Sequence, residues 1–422
     1  MADIQPLRAL HYDTNVAGGL ADVTSPPYDV IDAEQRKELL GRSPFNVVAV
    51  DLPKAEKGSA ADPYARAGEL FEAWQMQGVL VRDPEPALWA HTQTYTGPDR
   101  QTRTRKGFFC RVRIEGYGPG RVRPHERTHP GPKEDRLRLM RATRANLSPI
   151  FSLFSDPAGA AWRALEPSTA GDPWGEVTDA DGTTHRLWRT GDPEAIAAVQ
   201  AATRDVELLI ADGHHRYETA NTYAQEIGGE GEHRYLLMCL VALEDPGLTV
   251  FPTHRLVRNL DAERRQALRA ALERDFELSE VPLDQIAPEP GIGPLELGYI
   301  DSFHGKPYRL KLKDQAIADA ALPGFSEAYR QLDTGVLEAM LLKGALGLSN
   351  EDISHFNGLF YARSTEEALS MVSSGEYEAA FVMRPTPVSQ VRDVAASGEN
   401  MPPKSTFFYP KLLTGLLFNP LS

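Results

Sequence analysis

Apolar and polar residues alternate along this chain in two rhythms. Between Asp62 and Val79 the apolar positions Leu70, Phe71, Trp74 and Val79 fall on one helical stripe, which predicts an amphipathic helix. Ala33 to Arg42, Lys133 to Ala145, Ala262 to Asp275 and Thr334 to Leu346 also read as helices. Short apolar or alternating runs predict strands at Asn46 to Leu52 (NVVAVDL), Ala87 to Tyr95, Gly107 to Ile114, Ser148 to Phe154 and Leu208 to Ala211. Further strands are expected at Tyr235 to Leu243, Val250 to Val257, Leu295 to Tyr299, Tyr308 to Leu312 and Tyr377 to Met383. Strands interleaved with helices in this way predict an α/β to α+β protein with mixed sheets.

Two stretches break the rhythm. Tyr117 to Asp135 (YGPGRVRPHERTHPGPKED) is too irregular for either period and too charged for a core, so it reads as a long ordered loop. Val281 to Pro294 (VPLDQIAPEPGIGP) reads as a linker or inter-domain excursion. The expected division is therefore a region at 1–280 and a C-terminal α+β region at 295–422 that could pack into the same site.

Composition narrows the class. The 422 residues are 41% hydrophobic, enough for a large core and too many for wholesale disorder. With 45 basic against 59 acidic residues the formal net charge is −14, which disfavours nucleic acid or an anionic membrane as main partner. Cys110 and Cys239 lie on separate strand-like runs and offer neither a disulfide framework nor a thiolate metal set. The opening residues MADIQPLRALHYDTN lack the basic and apolar regions of a leader, and no run reaches the ~20 apolar residues that span a bilayer. A cytoplasmic location is the expectation.

The sharpest chemical signal is Leu209 to Ala220, LIADGHHRYETA. A short strand meets Asp212-Gly213 and a helix follows almost at once. Gly213 permits a tight turn, and the first helical N–H groups are left to meet an anion. His214, His215 and Arg216 add donors where the helix dipole disfavours positive charge, a cost that a bound phosphate offsets. The plainer alternative is an Asp-capped helix with surface histidines. Zinc ligation by the pair is disfavoured, because adjacent helical side chains point about 100° apart.

The second signal is Arg123 to Arg136, RPHERTHPGPKEDR. Glu126, between His125 and several cations, could be a general base or a Mg²⁺ ligand, with His125 and Thr128 touching substrate. Lys133 and Arg136, one turn apart, could clamp phosphoryl oxygens. The alternative is a solvated basic loop. Two smaller groups, His254-Arg255 in FPTHR and Lys404-Ser405 in MPPKST, are candidate substrate contacts. GENMPPKST is no Walker loop, since Pro403 stands where the second glycine belongs. SPPYD (Ser25 to Asp29) is a proline turn that either ends a strand or presents Tyr28 and Asp29 to a cleft. Signatures of serine hydrolases, zincins, classical dehydrogenases and protein kinases are absent from the sequence.

SPPYDVI, FNVVAVDLP, PKEDRLRLMRATRANLSPIFSLFSD, IADGHHRYETA, PTHR and MPPKSTFFYPK, in this order, resemble a widespread prokaryotic family known as domain of unknown function 1015. DGHHRYETA is also similar to the strand–turn–helix of ParB/sulfiredoxin-like domains, in the form seen in ParB-like free serine kinases. That second resemblance implies a ParB-like core within 1–280, phosphates held at Gly213, His215 and Arg216, and Ala220 packed on the strand. It also implies a metal or substrate contact at Asp212 and a glutamate base, for which Glu126 is the candidate.

These signals converge on Mg²⁺-assisted phosphoryl transfer to a small hydroxylated metabolite, with ATP or ADP as donor, or on the reverse phosphatase reaction. Catalytic roles fall to Glu126, Asp212 and His214, and Asp212 with Glu126 would hold the metal. The rival is a nucleotide- or phosphometabolite-binding regulator without turnover, and the plainest reading is a structural protein whose polar segments are scattered.

Overall fold

The helices Ala33–Arg42 and Ala262–Asp275 start where Asp32 and Asp261 accept hydrogen bonds from first-turn N–H groups. Most other expected elements form close to their expected bounds in the computed structural model. It describes all residues but 1, 56–60, 98–99, 118–120 and 127–129, the side chains of 130–132 aside.

Three of the expected helices and strands change. The run Asn46 to Leu52 is buried but is no strand: Val48–Asp51 winds a helical turn. Asn46 Oδ1 caps it by accepting from the Val48 N–H at 3.0 Å, while its Nδ2 donates to the Asp22 and Thr24 carbonyls. So short an apolar run cannot tell helix from strand by periodicity. Val250 to Val257 splits into strands Thr249–Phe251 and His254–Val257, with Pro252 between them. The helix expected at Thr334 to Leu346 starts as α at Asp333–Leu337 and continues as π from Glu338 to Ala345.

The chain divides into two compact units. One holds Met1–Pro124, Thr128–Thr249 and Pro410–Ser422; the other holds His125–Arg127 and Val250–Tyr409. The stretch 281–294 is therefore no linker, because it joins strands Phe276–Glu280 and Glu296–Asp301 of one sheet in the second unit. That sheet has six strands, paired antiparallel throughout.

The first unit is built on a nine-stranded mixed sheet. Its path runs through Val122–Arg123, Leu208–Asp212, Ile150–Phe154, Tyr235–Ala242, Thr102–Arg113, Leu88–Thr96, Thr184–Thr190 and Gly175–Thr178, with Ile4–Gln5 paired to Thr102–Arg113. One face carries the main core, including Ile150, Phe154, Ile210, Met238 and Leu240. Residues of opposite parity (Phe151, Cys239, Phe109 and Trp89) line the other face, aligned by direct cross-strand pairing. Cys110 belongs to the core face and Cys239 to the opposite one, so the two thiols point away from each other. Among the described residues no helix is long and apolar enough to cross a membrane.

Helix Pro130–Thr143 packs between Pro63–Met76 and His214–Ile227. Gly68 allows the first contact, since a Cβ there would stand 2.6 Å from the Ala142 carbonyl oxygen. Gly68→Val is expected to force these helices apart and destabilise the protein by about 2 kcal/mol. A urea melt of the variant checks this, and an unchanged midpoint would contradict the close packing.

Candidate functional site

A β-bulge sets the geometry of the first unit's polar cluster. Ile210 pairs with Ser152, but the next pair is Asp212 with Phe151, so Ala211 is the extra residue. Without it Ala211 would oppose Phe151 and Asp212 would point into the apolar core. With it, Asp212 shares the face of Phe151.

Gly213 follows with φ 103°, a left-handed conformation that favours glycine, and the helix His214–Ile227 starts with no side-chain cap. The Asp-capped alternative is thereby set aside. Asp212 turns instead to two cations: Arg216 Nη2 donates to Oδ2 at 3.0 Å, and Lys411 Nζ lies 3.3 Å from Oδ1. Burial alone would raise the pKa of Asp212, but Lys411 and Arg216 overcome it and hold the carboxyl well below its usual range. Arg216 also donates to the Pro149 carbonyl oxygen and is only 12% exposed. Its guanidinium further senses the charges of Asp29 and Asp51. His214 is buried, whereas His215 is half-buried.

Beside this group lies a second ion pair. Arg136 Nη1 donates to the Asp51 carbonyl at 2.7 Å and lies 3.3 Å from its carboxylate, with Nε on Asp135 at 2.8 Å. The guanidinium covers the Tyr28 ring at 4.1 Å, and burial pushes the Tyr28 phenol up to about 12. Ser148 Oγ donates to Asp51 and shares a hydrogen bond with Thr414. Tyr28, Asp51, Arg136, Ser148 and Arg216 line a cavity of about 40 Å³, room for a water or two and not for a nucleotide. Lys133 Nζ binds Glu218 at 2.8 Å and, with Arg141 on Glu226, clasps two helices together. Lys133 and Arg136 therefore each hold a carboxylate instead of forming one clamp, because successive turns of their helix meet different neighbours.

Of the expected site residues, the first unit brings together Asp212, Gly213, His214, His215, Arg216, Lys133 and Arg136. His125, Glu126, His254, Arg255, Lys404 and Ser405 belong to the second unit. Thr128 lies outside the described residues.

In the second unit His125 is wholly buried, with Nε2 2.9 Å from Thr406 Oγ1 and 3.9 Å from Glu126. Arg255 is buried over the Tyr361 ring and donates to the Thr253 and Lys404 carbonyls. It thereby pins an exposed Lys404 whose φ of 56° is left-handed. Ser405 is spent internally: its hydroxyl donates to the Pro402 carbonyl and shares a hydrogen bond with Thr334. His254 is spent too. Its Nδ1 accepts from the Met383 N–H at 3.0 Å, leaving Nε2 protonated toward Thr365, and burial lowers its pKa to about 4. Ser405 and His254 thus brace the fold where substrate contacts were expected.

Mg²⁺ does not fit Asp212. That carboxylate already faces two cations within 3.3 Å, and a dication would add repulsion without added carboxylates. Among the described residues no three His, Cys, Asp or Glu side chains gather as a ligand set.

The sequence offers little warning of Lys411 and Asp51, although they lie inside the MPPKSTFFYPK and FNVVAVDLP segments. Asp212→Asn is expected to cost about 3 kcal/mol at pH 7, because it leaves Arg216 and Lys411 facing a neutral amide. A depressed carboxyl stabilises the fold above its unfolded range, so the gap between wild type and variant should begin to close below about pH 4. Denaturant melts across pH test this; a constant gap would show that the charge of Asp212 is not the cause.

Solved structures give distant likenesses. A conserved hypothetical protein from Pyrococcus furiosus aligns with 68% of this chain and 87% of its own, at 15% identity and a TM-score of 0.35. A free serine kinase in complex with AMP aligns with 68% and 83%, at 14% and 0.35. SbnI with a C-terminal truncation, from Staphylococcus aureus, aligns with 70% and 82%, at 10% and 0.35. Such likenesses decide no activity. No curated protein matches the sequence. A family model does, over residues 4–335, and those residues include both the Asp212 bulge and the Asp51–Arg136 pair. The chain belongs to the family described as a protein of unknown function, DUF1015.

Proposed function

We propose that the first unit binds a nucleotide through its phosphates at the Gly213 turn, and that the protein transfers a phosphoryl group to a small hydroxylated metabolite such as a serine-like amino acid. One observation carries this reading: a 14-residue helix starts straight after a left-handed glycine, and no side chain caps it. A phosphate there would accept from the first-turn N–H groups and be favoured by the helix dipole. His215, half-buried in that turn, is the side chain best placed to add a donor. Arg216 and Asp212, locked together by 3.0 Å, would hold the turn rigid. The adjoining 40 Å³ cavity excludes an inward pose, so the ligand would lie on the outer side of the turn.

The reverse reaction would use the same binding groups. A regulator that binds without turnover has one observation in its favour: Asp212, closed by two cations, is no ready base.

Calorimetric titration with AMP, ADP and ATP, with and without Mg²⁺, tests binding; transfer of labelled phosphate to serine and related alcohols then separates kinase from binder. His215→Ala is expected to weaken nucleotide binding about tenfold, roughly 1.4 kcal/mol, with little change in melting temperature. Unaltered affinity in this variant would remove His215 from the site, and absence of any nucleotide binding by the wild type would end the reading.

A further inference from the structure

The C-terminal segment of the first unit is gripped by buried polar side chains of the sheet. Gln93 Nε2 donates to the Lys411 carbonyl at 2.9 Å, and Arg105 Nη2 donates to the Pro410 carbonyl at 2.6 Å. Arg105 Nε in turn holds Gln93 Oε1 at 3.0 Å, so the two side chains form one brace. Both are almost wholly buried, at 1% exposure each. The brace fixes successive backbone carbonyls, and with them the direction in which Lys411 leaves the chain. Its Nζ stands 3.3 Å from Asp212 Oδ1, directly before the Gly213 turn, and the side chain keeps 21% exposure.

Arg105 is unusual in a second way. Its Nη1 is buried and donates to nothing, and no carboxylate among the described residues ion-pairs with it. The guanidinium lies 4.3 Å over the Phe151 ring, and Phe151 opposes Asp212 in the sheet. A guanidinium stays charged at neutral pH, and Asp245 and Asp212 answer this one through space, without an ion-pair contact. Asp212, the carboxylate across from it, is already shared by Arg216 and Lys411. The Asp51 carboxylate lies against Arg136 and also reaches Arg216 through space. Of the two cations on Asp212, Lys411 keeps the greater exposure, 21% against 12% for Arg216.

We infer that Lys411 is a further phosphate-binding residue, aimed by the Gln93–Arg105 brace so that its ammonium takes a phosphoryl oxygen of the ligand beside the Gly213 turn. This rests on the phosphate reading above and adds a second anchor to it. Lys411 contributes charge and a donor to the ligand, Asp212 orients it, and Arg105 acts through it as a positioning residue.

Inorganic pyrophosphate is the probe, titrated by calorimetry into the full chain at fixed ionic strength. Lys411→Met should weaken its binding at least tenfold, and Lys411→Arg should recover most of that loss. Arg105→Lys, which keeps the charge but not the double grip on Gln93 and Pro410, should weaken binding severalfold with Lys411 still present. In the wild type, pyrophosphate should protect Lys411 from acetylation by acetic anhydride, read by mass spectrometry, which decides the matter even if a variant does not fold. Wild-type binding with unprotected Lys411, or full affinity in Lys411→Met, would overturn the role of Lys411 and leave the turn as the anion site. No pyrophosphate binding by the wild type would overturn both.

Discussion

One extra residue in one strand governs the polar geometry of the first unit. Ala211 bulges out of register between Ile210 and Asp212, and the carboxylate that would otherwise face the apolar core is brought to the opposite face. There it meets Arg216 from the next helical turn and Lys411 from a segment two hundred residues away in sequence. A charge moved from water into such a place is tolerated only when answered, and two cations answer it. Because Asp212 is occupied by these partners, it is not available to cap the helix. The N-cap position itself is Gly213, which has no side chain, so the N-terminus carries no side-chain cap.

The cluster also explains why distant segments fold around one place. Arg216 is held by the carbonyl of Pro149, Arg136 by Asp51, and Ser148 links Asp51 to Thr414. Segments near residues 28, 51, 136, 148, 216 and 411 thus share one network, each supplying a charge, hydroxyl or carbonyl that another needs. Networks of this kind are rigid when fully satisfied. Rigidity suits a site that must keep N–H groups aimed at an anion without reorganising. In the second unit, by contrast, the polar residues around His254 and Ser405 close on backbone groups and act as braces.

Much of the fold is legible in the sequence where a local rule decides. Asp-capped helices at 33–42 and 262–275 and the Gly213 strand-to-helix switch stand out because capping and glycine conformations leave a direct mark. Val48–Asp51 misleads because three apolar residues and one aspartate carry no period, and the decisive group, the Asn46 side chain, bonds to residues more than twenty positions away. The unit boundary is hidden for a similar reason: a proline-rich excursion at 281–294 looks like a linker, yet its flanking strands belong to one sheet. At the site, the residue types in DGHHR are readable but their partners are not. Nothing local to Lys133 announces Glu218, nothing local to Arg136 announces Asp51, and the bulge that aims Asp212 is a matter of register between strands.

The central claim is that an anion sits on the first-turn N–H groups after Gly213. Amide NMR of the isotope-labelled chain during an ADP titration tests it most directly, since those N–H groups report on their own hydrogen bonds. The account predicts saturable shifts concentrated at Gly213, His214, His215 and Arg216. Binding that moves amides elsewhere while these four stay still would contradict it.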